Sequence, residues 1–198
     1  QMMRAAARSV TVVIYLRRQD DWAVSAYSQG IKSGFRSTFA LHLPQVCLDY
    51  KALLDRWAGA FGRDNLSVGL FEQRSMRNGD PVEDFLARAK ISADGAAPTT
   101  FVETDLSRDA LEFLRRANHN IPVFDKQRSR MHSLRGKLLR YLTQWSQDRP
   151  KLQLPRADRE LLMELAEPGN RAVAREYFGR EELFEPPAYG AEADSDPF

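Results

Sequence analysis

At 198 residues, with 43% hydrophobic and 28% charged positions, the chain has the composition of a folded globular domain long enough to bury a core. Its 29 basic and 27 acidic residues leave a net charge of +2, too balanced to argue by itself for a nucleic-acid partner. The single cysteine, Cys47, excludes an intrachain disulfide and offers no metal-binding pattern, and no apolar run approaches the ~20 residues of a membrane span. No signal peptide is visible, and the expected location is the cytoplasm.

Gln1 to Arg8 reads as a short Ala/Arg lead-in. Thr11 to Leu16 carries no charge and is rich in Val, Ile and Tyr, as expected of a strand covered on both faces in a parallel sheet. The run stops at Arg17-Arg18, and from Asp20 onward Trp22, Val24, Ala26 and Tyr27 fall at roughly helical spacing. Asp20 and Asp21 are placed to cap the first turn. A strand's carboxyl end and a helix N-terminus thus lie together, and both are places where α/β proteins hold anions. Arg17 adds a fixed positive charge there and Ser25 a hydroxyl, although Arg-Arg after a strand is equally read as a chain leaving the sheet for solvent.

Phe35 to Cys47 reads as an irregular segment containing Pro44. Asp49 to Phe61 is an amphipathic helix with Tyr50, Leu53, Leu54, Trp57, Ala58 and Phe61 on one face, ended by Gly62. Leu66 to Phe71 is a second strand, and a helix joining two strands implies a parallel, right-handed crossover. Glu72 is placed to fix the following loop by accepting backbone N–H groups. Asp80 and Pro81 open a short helix to Ala89, Pro81 standing where its fixed φ suits the first helical position. Ser92 to Thr100 is a Gly/Ala/Pro linker.

Beyond the linker the pattern is helical, with no strand visible. Ser107 caps Arg108 to Asn118, Lys126 to Trp145 is a long basic helix, and Asp158 to Phe178 is another, interrupted or kinked at Pro168-Gly169. In the basic helix Leu134, Leu138, Tyr141, Leu142 and Trp145 supply an apolar stripe, and its Lys and Arg residues form a solvated face or an anion-attracting wall. Of the three histidines, none has metal-ligand spacing. Pro186 to Phe198 is acidic and Pro-rich, the composition of a disordered tail.

YLRRQDDWAVSAYSQGIKSG, DYKALLDRWAGAFGRDNLSVGLFEQ, GDPVEDFLARAKI and LLMELAEPGNRAVAREYFGREELF follow one another in the order seen in bacterial members of the sulfotransferase superfamily, which use 3′-phosphoadenosine-5′-phosphosulfate. The chain resembles that family over most of residues 10 to 184. In the family an Arg ends the strand, an Asp follows four residues later and a Ser eight residues after the Arg. Arg17, Asp21 and Ser25 keep that spacing. The resemblance implies a three-layer, parallel-sheet P-loop-type α/β fold, with residues 1–91 as the core portion, 92–184 as a helical carboxyl-terminal portion and 185–198 as the tail.

It also implies that Arg17 and Ser25 bind the 3′-phosphate of the cofactor or of its product, 3′-phosphoadenosine-5′-phosphate. Phe71 stands where the family usually carries the Tyr of Tyr-Glu near the adenine, and it either packs against the purine or fills the core. Lys32 is placed to face substrate, and Arg36 and His42 border the acceptor site or are exposed loop residues. Leu134-Arg135-Gly136-Lys137 invites comparison with a late basic segment that clasps the 3′-phosphate.

The family's glycine-rich phosphate loop has no counterpart here, because Gly30 to Gly34 (GIKSG) follows a helix rather than a strand. The catalytic base, a His or Glu, has none either. The chain reads as the carboxyl-terminal portion of a sulfotransferase domain lacking about a hundred residues. The implied reaction is sulfuryl transfer to a hydroxyl or amine of a saccharide or small metabolite, with no metal required and oligomeric state left open. The alternative is a noncatalytic binding or assembly module that retains the fold without the phosphate loop.

Overall fold

The computed structural model describes residues 10–42, 49–92, 105–125 and 130–185. The chain divides into two compact units. One draws on Gln1–Gln19, Leu48–Phe101 and Met163–Pro187, the other on Asp20–Cys47, Val102–Leu162 and Ala188–Phe198.

The first unit is built on two parallel strands, β1 (Val12–Leu16) and β2 (Leu66–Leu70), paired from Val12↔Leu66 to Leu16↔Leu70. The Phe71 amide donates to the Leu16 carbonyl at 2.7 Å and carries the ladder one step further. Because side chains alternate along a strand, Ile14, Leu16, Leu66, Val68 and Leu70 share one face. They pack with Tyr50 and Leu54 of helix α3 (Tyr50–Phe61) and with Val173, Leu183 and Phe184. The opposite face carries Tyr15 and Gly69, and there Tyr15 donates to Asp84 of helix α4 (Pro81–Ala89) at 2.6 Å. Helices therefore cover both faces of a parallel pair. Val12 to Tyr15 are nonetheless only half-buried, where the sequence predicts full coverage. Among the described residues β1 has one neighbouring strand, and a short helix covers its second face.

Local signals in this unit act as the sequence predicts. Asp49 caps α3 by accepting from the Ala52 amide, and the helix ends where the Gly62 amide donates to the Ala58 carbonyl. Asp80 accepts from the Val82 and Glu83 amides, with Pro81 in the first turn. Trp57 departs from its predicted place on the buried face. It is 39% exposed and stacks on Phe61 with ring centroids 5.6 Å apart, while Tyr50 and Leu54 are buried and Leu53 packs beside them. Gly69 is required by close approach: a Cβ there would lie 2.9 Å from both the Arg88 guanidinium and the Tyr15 ring.

The second unit gathers most of helix α1 (Gln19–Lys32), the short helix α2 (Phe39–His42), α5 (Arg108–Ala117), a two-residue hairpin of β3 (Phe124–Asp125) and β4 (Arg130–Met131), and α6 (Ser133–Trp145). Tyr27, Ile31, Phe39, Leu111, Leu114 and Leu142 lead its core. Ser107 caps α5 as predicted by accepting from the Ala110 amide, and its own amide donates to Ser146 Oγ at 2.8 Å.

Three expectations for this half are corrected. The basic helix starts at Ser133 rather than Lys126, because Arg130–Met131 pairs antiparallel with Phe124–Asp125 and the His132 amide donates to the Val123 carbonyl. Hairpin pairing here overrides the helical preference of Lys and Arg, as tertiary context commonly does. The same hairpin contradicts the reading that this half lacks strands. The last helix, α7 (Arg156–Val173), runs through Pro168 and leaves α geometry later, in a π turn over Ala174–Phe178. The lead-in, Cys47, the 93–100 linker and the tail from Pro186 lie outside the described residues.

Candidate functional site

The carboxyl edge of the β1–β2 pair presents two adjacent arginines with different partners. Arg18 is buried, and its Nη1 donates to the Glu185 carbonyl at 2.9 Å. Arg17 is half-buried, and its carbonyl accepts from the Tyr50 hydroxyl at 2.5 Å. Burial chiefly pushes the Tyr50 phenol up to about 12, so the hydroxyl stays a donor across the neutral range and anchors the Arg17 backbone. The Arg17 guanidinium lies 5.8 Å from the centroid of the Phe71 ring. Among the described residues no carboxylate pairs with it and no acceptor engages its fork, so its planar donors remain available to an anion.

Phe71 is 45% exposed, so it belongs to this edge rather than to the core. Its ring meets Tyr15 edge-on at 6.3 Å, and the Arg88 guanidinium lies 5.6 Å from the centroid of Tyr15. Behind these rings, Asp84 binds Tyr15, Arg88 Nε at 2.5 Å and the Arg77 amide at 3.1 Å. Burial alone would raise the Asp84 pKa, but these three hydrogen bonds outweigh it and hold the carboxyl below its ordinary value. Tyr15 is pushed up to about 12, by burial first and then by Asp84. On the outer edge of β2, Arg88 Nη1 donates to the Val68 carbonyl at 3.0 Å.

Glu72 follows Phe71 and does fix its surroundings, accepting from the Glu185 amide and the Ser75 hydroxyl. Burial raises its pKa, and the charge of Glu185 adds to the effect against the opposing pull of Arg180.

Of the residues singled out in the sequence, Arg17 and Phe71 come together at this edge. Ser25 belongs to the second unit, on the exposed face of α1. Asp20 and Asp21 lie in the first turn of that helix, and Asp20 Oδ1 accepts from the Asp21 amide at 2.9 Å. Lys32 ends α1 with its Nζ 3.8 Å from Asp105 Oδ1. Arg36 Nε donates to the Asn118 carbonyl at 3.1 Å, and the Arg36 carbonyl accepts from Arg115 at 2.9 Å. His42 closes α2, and its side chain lies outside the described residues.

Arg135 overturns its sequence reading. It is fully buried, donating to Asn118 Oδ1 at 2.6 Å and to the Ile31 and Lys32 carbonyls at 3.0 and 2.7 Å. Its Nη1 is committed to Asn118 and its Nη2 to the end of α1, and the side chain is buried, so it neither clasps a phosphate nor faces solvent. Lys137 and Arg140 of the same segment are exposed, as expected. The signal was present in the spacing, since Arg135 stands two turns before the buried Leu142 and so falls on the helix's inner stripe.

No family model matches the chain, and no solved structure matches it. It is similar to an uncharacterized protein of Archaeoglobus fulgidus, 28% identical over 178 residues that cover 87% of this chain and 47% of that protein. The chain spans about half the length of that relative.

Proposed function

We propose that the chain is part of a sulfotransferase that uses 3′-phosphoadenosine-5′-phosphosulfate, within a three-layer P-loop-type domain. The observation that carries this reading is the unengaged Arg17 fork beside an exposed Phe71 ring at the carboxyl edge of two parallel strands. A guanidinium fork suits the 3′-phosphate, the ring suits a purine face, and the edge is where open α/β sheets bind ligands. Phe71 has no hydroxyl, so it contributes packing and no hydrogen bond.

The bound cofactor would supply an activated sulfuryl group, whose bond to the bridging oxygen breaks as a new bond forms to an acceptor hydroxyl or amine. This chain's contribution is to bind and orient. Tyr50 holds the Arg17 backbone, Tyr15 supports the Phe71 ring, and Arg17 discriminates the 3′-phosphorylated nucleotide from adenylates that lack that group. In this reading the whole protein supplies the phosphate loop and the base that takes the acceptor proton from outside the residues described.

Calorimetry with 3′-phosphoadenosine-5′-phosphate tests the proposal. Binding should weaken at least ~10-fold in Arg17→Ala, the loss expected of one charge-assisted contact, and adenosine-5′-phosphate should show no such dependence on Arg17. A folded chain that binds neither nucleotide sinks the assignment and favours the noncatalytic module.

A further inference from the structure

In the first unit a line of contacts runs inward from the candidate site. Phe71 is 45% exposed, and a ring so exposed is fixed by the neighbours on its inner side. Tyr15 is such a neighbour, its ring meeting Phe71 edge-on with centroids 6.3 Å apart and planes at 88°. Tyr15 in turn has little freedom. Its hydroxyl donates to Asp84 Oδ2 at 2.6 Å, the Arg88 guanidinium lies 5.6 Å from its ring centroid, and its ring passes 2.9 Å from where a Cβ on Gly69 would stand.

Asp84 is the fixed point of this line. It is buried on α4, and Oδ2 accepts from Arg88 Nε as well as from Tyr15, while Oδ1 accepts from the Arg77 amide. These bonds keep the carboxyl ionised across the neutral range, so it remains an acceptor. Arg88 Nη1 also donates to the Val68 carbonyl, which ties the group to the β2 backbone. A helix that only had to cover a sheet face would do so as well with apolar side chains, because a carboxylate loses its hydration on burial and replacing a buried ion pair by well-packed apolar residues is often neutral or stabilising. What the polar group adds is direction, since a hydrogen bond weakens steeply when its length or angle leaves a narrow range.

We infer that Asp84 is a positioning residue for the Arg17–Phe71 edge: through the Tyr15 hydroxyl it sets the Phe71 ring beside the Arg17 fork. All of these residues belong to the first unit. The ligand this arrangement selects carries a flat ring next to an anionic group, and Asp84 acts on the half of the site that meets the ring. A phosphate without such a ring engages Arg17 and gains nothing from Asp84. That the ring is a purine and the anion a 3′-phosphate rests on the function proposed above. The setting of Phe71 does not.

The test replaces Phe71 by 4-fluorophenylalanine in the full chain and follows its fluorine resonance without ligand. Tyr15→Phe, which removes one hydroxyl and leaves both rings, should move the resonance toward that of free 4-fluorophenylalanine. Asp84→Ala combined with Arg88→Ala should do the same, and it leaves neither ionised side chain without its partner. Calorimetry is the second measurement. Tyr15→Phe should weaken 3′-phosphoadenosine-5′-phosphate by ~3- to 10-fold, the share of one hydrogen bond, and should leave ribose 3,5-bisphosphate, which lacks the base, unchanged. An unmoved resonance in both variants overturns the inference, as does nucleotide binding that Tyr15→Phe leaves intact or an equal loss for the two ligands. If neither ligand binds, the sulfotransferase reading falls and the fluorine resonance alone decides the role of Asp84.

Discussion

Gln19 and Asn170 exchange both of their amide hydrogen bonds in the interior of the first unit. Gln19 Nε2 donates to Asn170 Oδ1 at 2.7 Å, and Asn170 Nδ2 donates back to Gln19 Oε1 at 3.1 Å. Both residues are buried, and the pair ties the chain just beyond Arg17 to α7. The position of Arg17 thus depends on a contact between residues remote in sequence.

Replacing one member of that pair strands the other's polar atoms away from water. Gln19→Leu or Asn170→Leu should each cost ~1–3 kcal/mol. The double variant should cost less than the sum of the singles, because no amide is then left unsatisfied. Urea unfolding of the four species provides the cycle, and strict additivity would show that the two amides do not act as a pair.

Gly69→Ala should destabilise by ~1–3 kcal/mol, since the new methyl meets both Arg88 and the Tyr15 ring. The guanidinium is the more easily moved of the two. Gly69→Ala should therefore cost less in an Arg88→Ala background, and an equal cost in both backgrounds would assign the clash to Tyr15 alone.

Arg135→Met should loosen the turn after α1 more than it lowers global stability. Loss of hydrogen bonds to a charged donor is worth ~1.5–3 kcal/mol. The amides of Ser33, Gly34 and Phe35, which close that turn onto Gln29, Gly30 and Ile31 carbonyls, should lose hydrogen-exchange protection first. Unchanged protection there would argue that Asn118 alone holds the turn.

The Tyr15–Asp84 pair predicts stability changes at both ends of the pH range. Asp84 has a lowered folded pKa, so its contribution is present above the unfolded carboxylate value of about 4 and is lost as pH falls through the folded value. Tyr15 has a folded pKa raised to about 12 from 10.0, so its contribution is full below about 10 and is lost as pH rises toward 12. Glu72 has the opposite sign to Asp84, because its raised folded pKa makes protonation favour the folded state. Chemical unfolding between pH 2 and 6 should show a shallower acid loss in Asp84→Asn and a steeper one in Glu72→Gln. Identical profiles for the two variants would show that neither carboxyl governs the slope.

Much of the first unit was legible from local signals. The apolar run at Thr11–Leu16, the Asp49 and Asp80 caps, Pro81 and the stop at Gly62 each act within a few residues, so adjacent sequence suffices to read them. The start of the basic helix was not legible in the same way. Helical composition between Lys126 and Trp145 says nothing of a strand pairing with Phe124–Asp125, and that pairing decides where α6 begins.

The arginines mark the same division at the candidate site. The sequence by itself determined that Arg17 ends a strand ahead of a helix, because a run of β-branched residues followed by helical spacing is local information. Only the tertiary structure decided that Arg17 keeps its fork unengaged while Arg18 and Arg135 are consumed by backbone carbonyls. All three are the same side chain, and their sequence neighbours do not name their partners. Their roles diverge because a guanidinium's partners are set by which distant carbonyls and rings the fold brings within hydrogen-bonding reach.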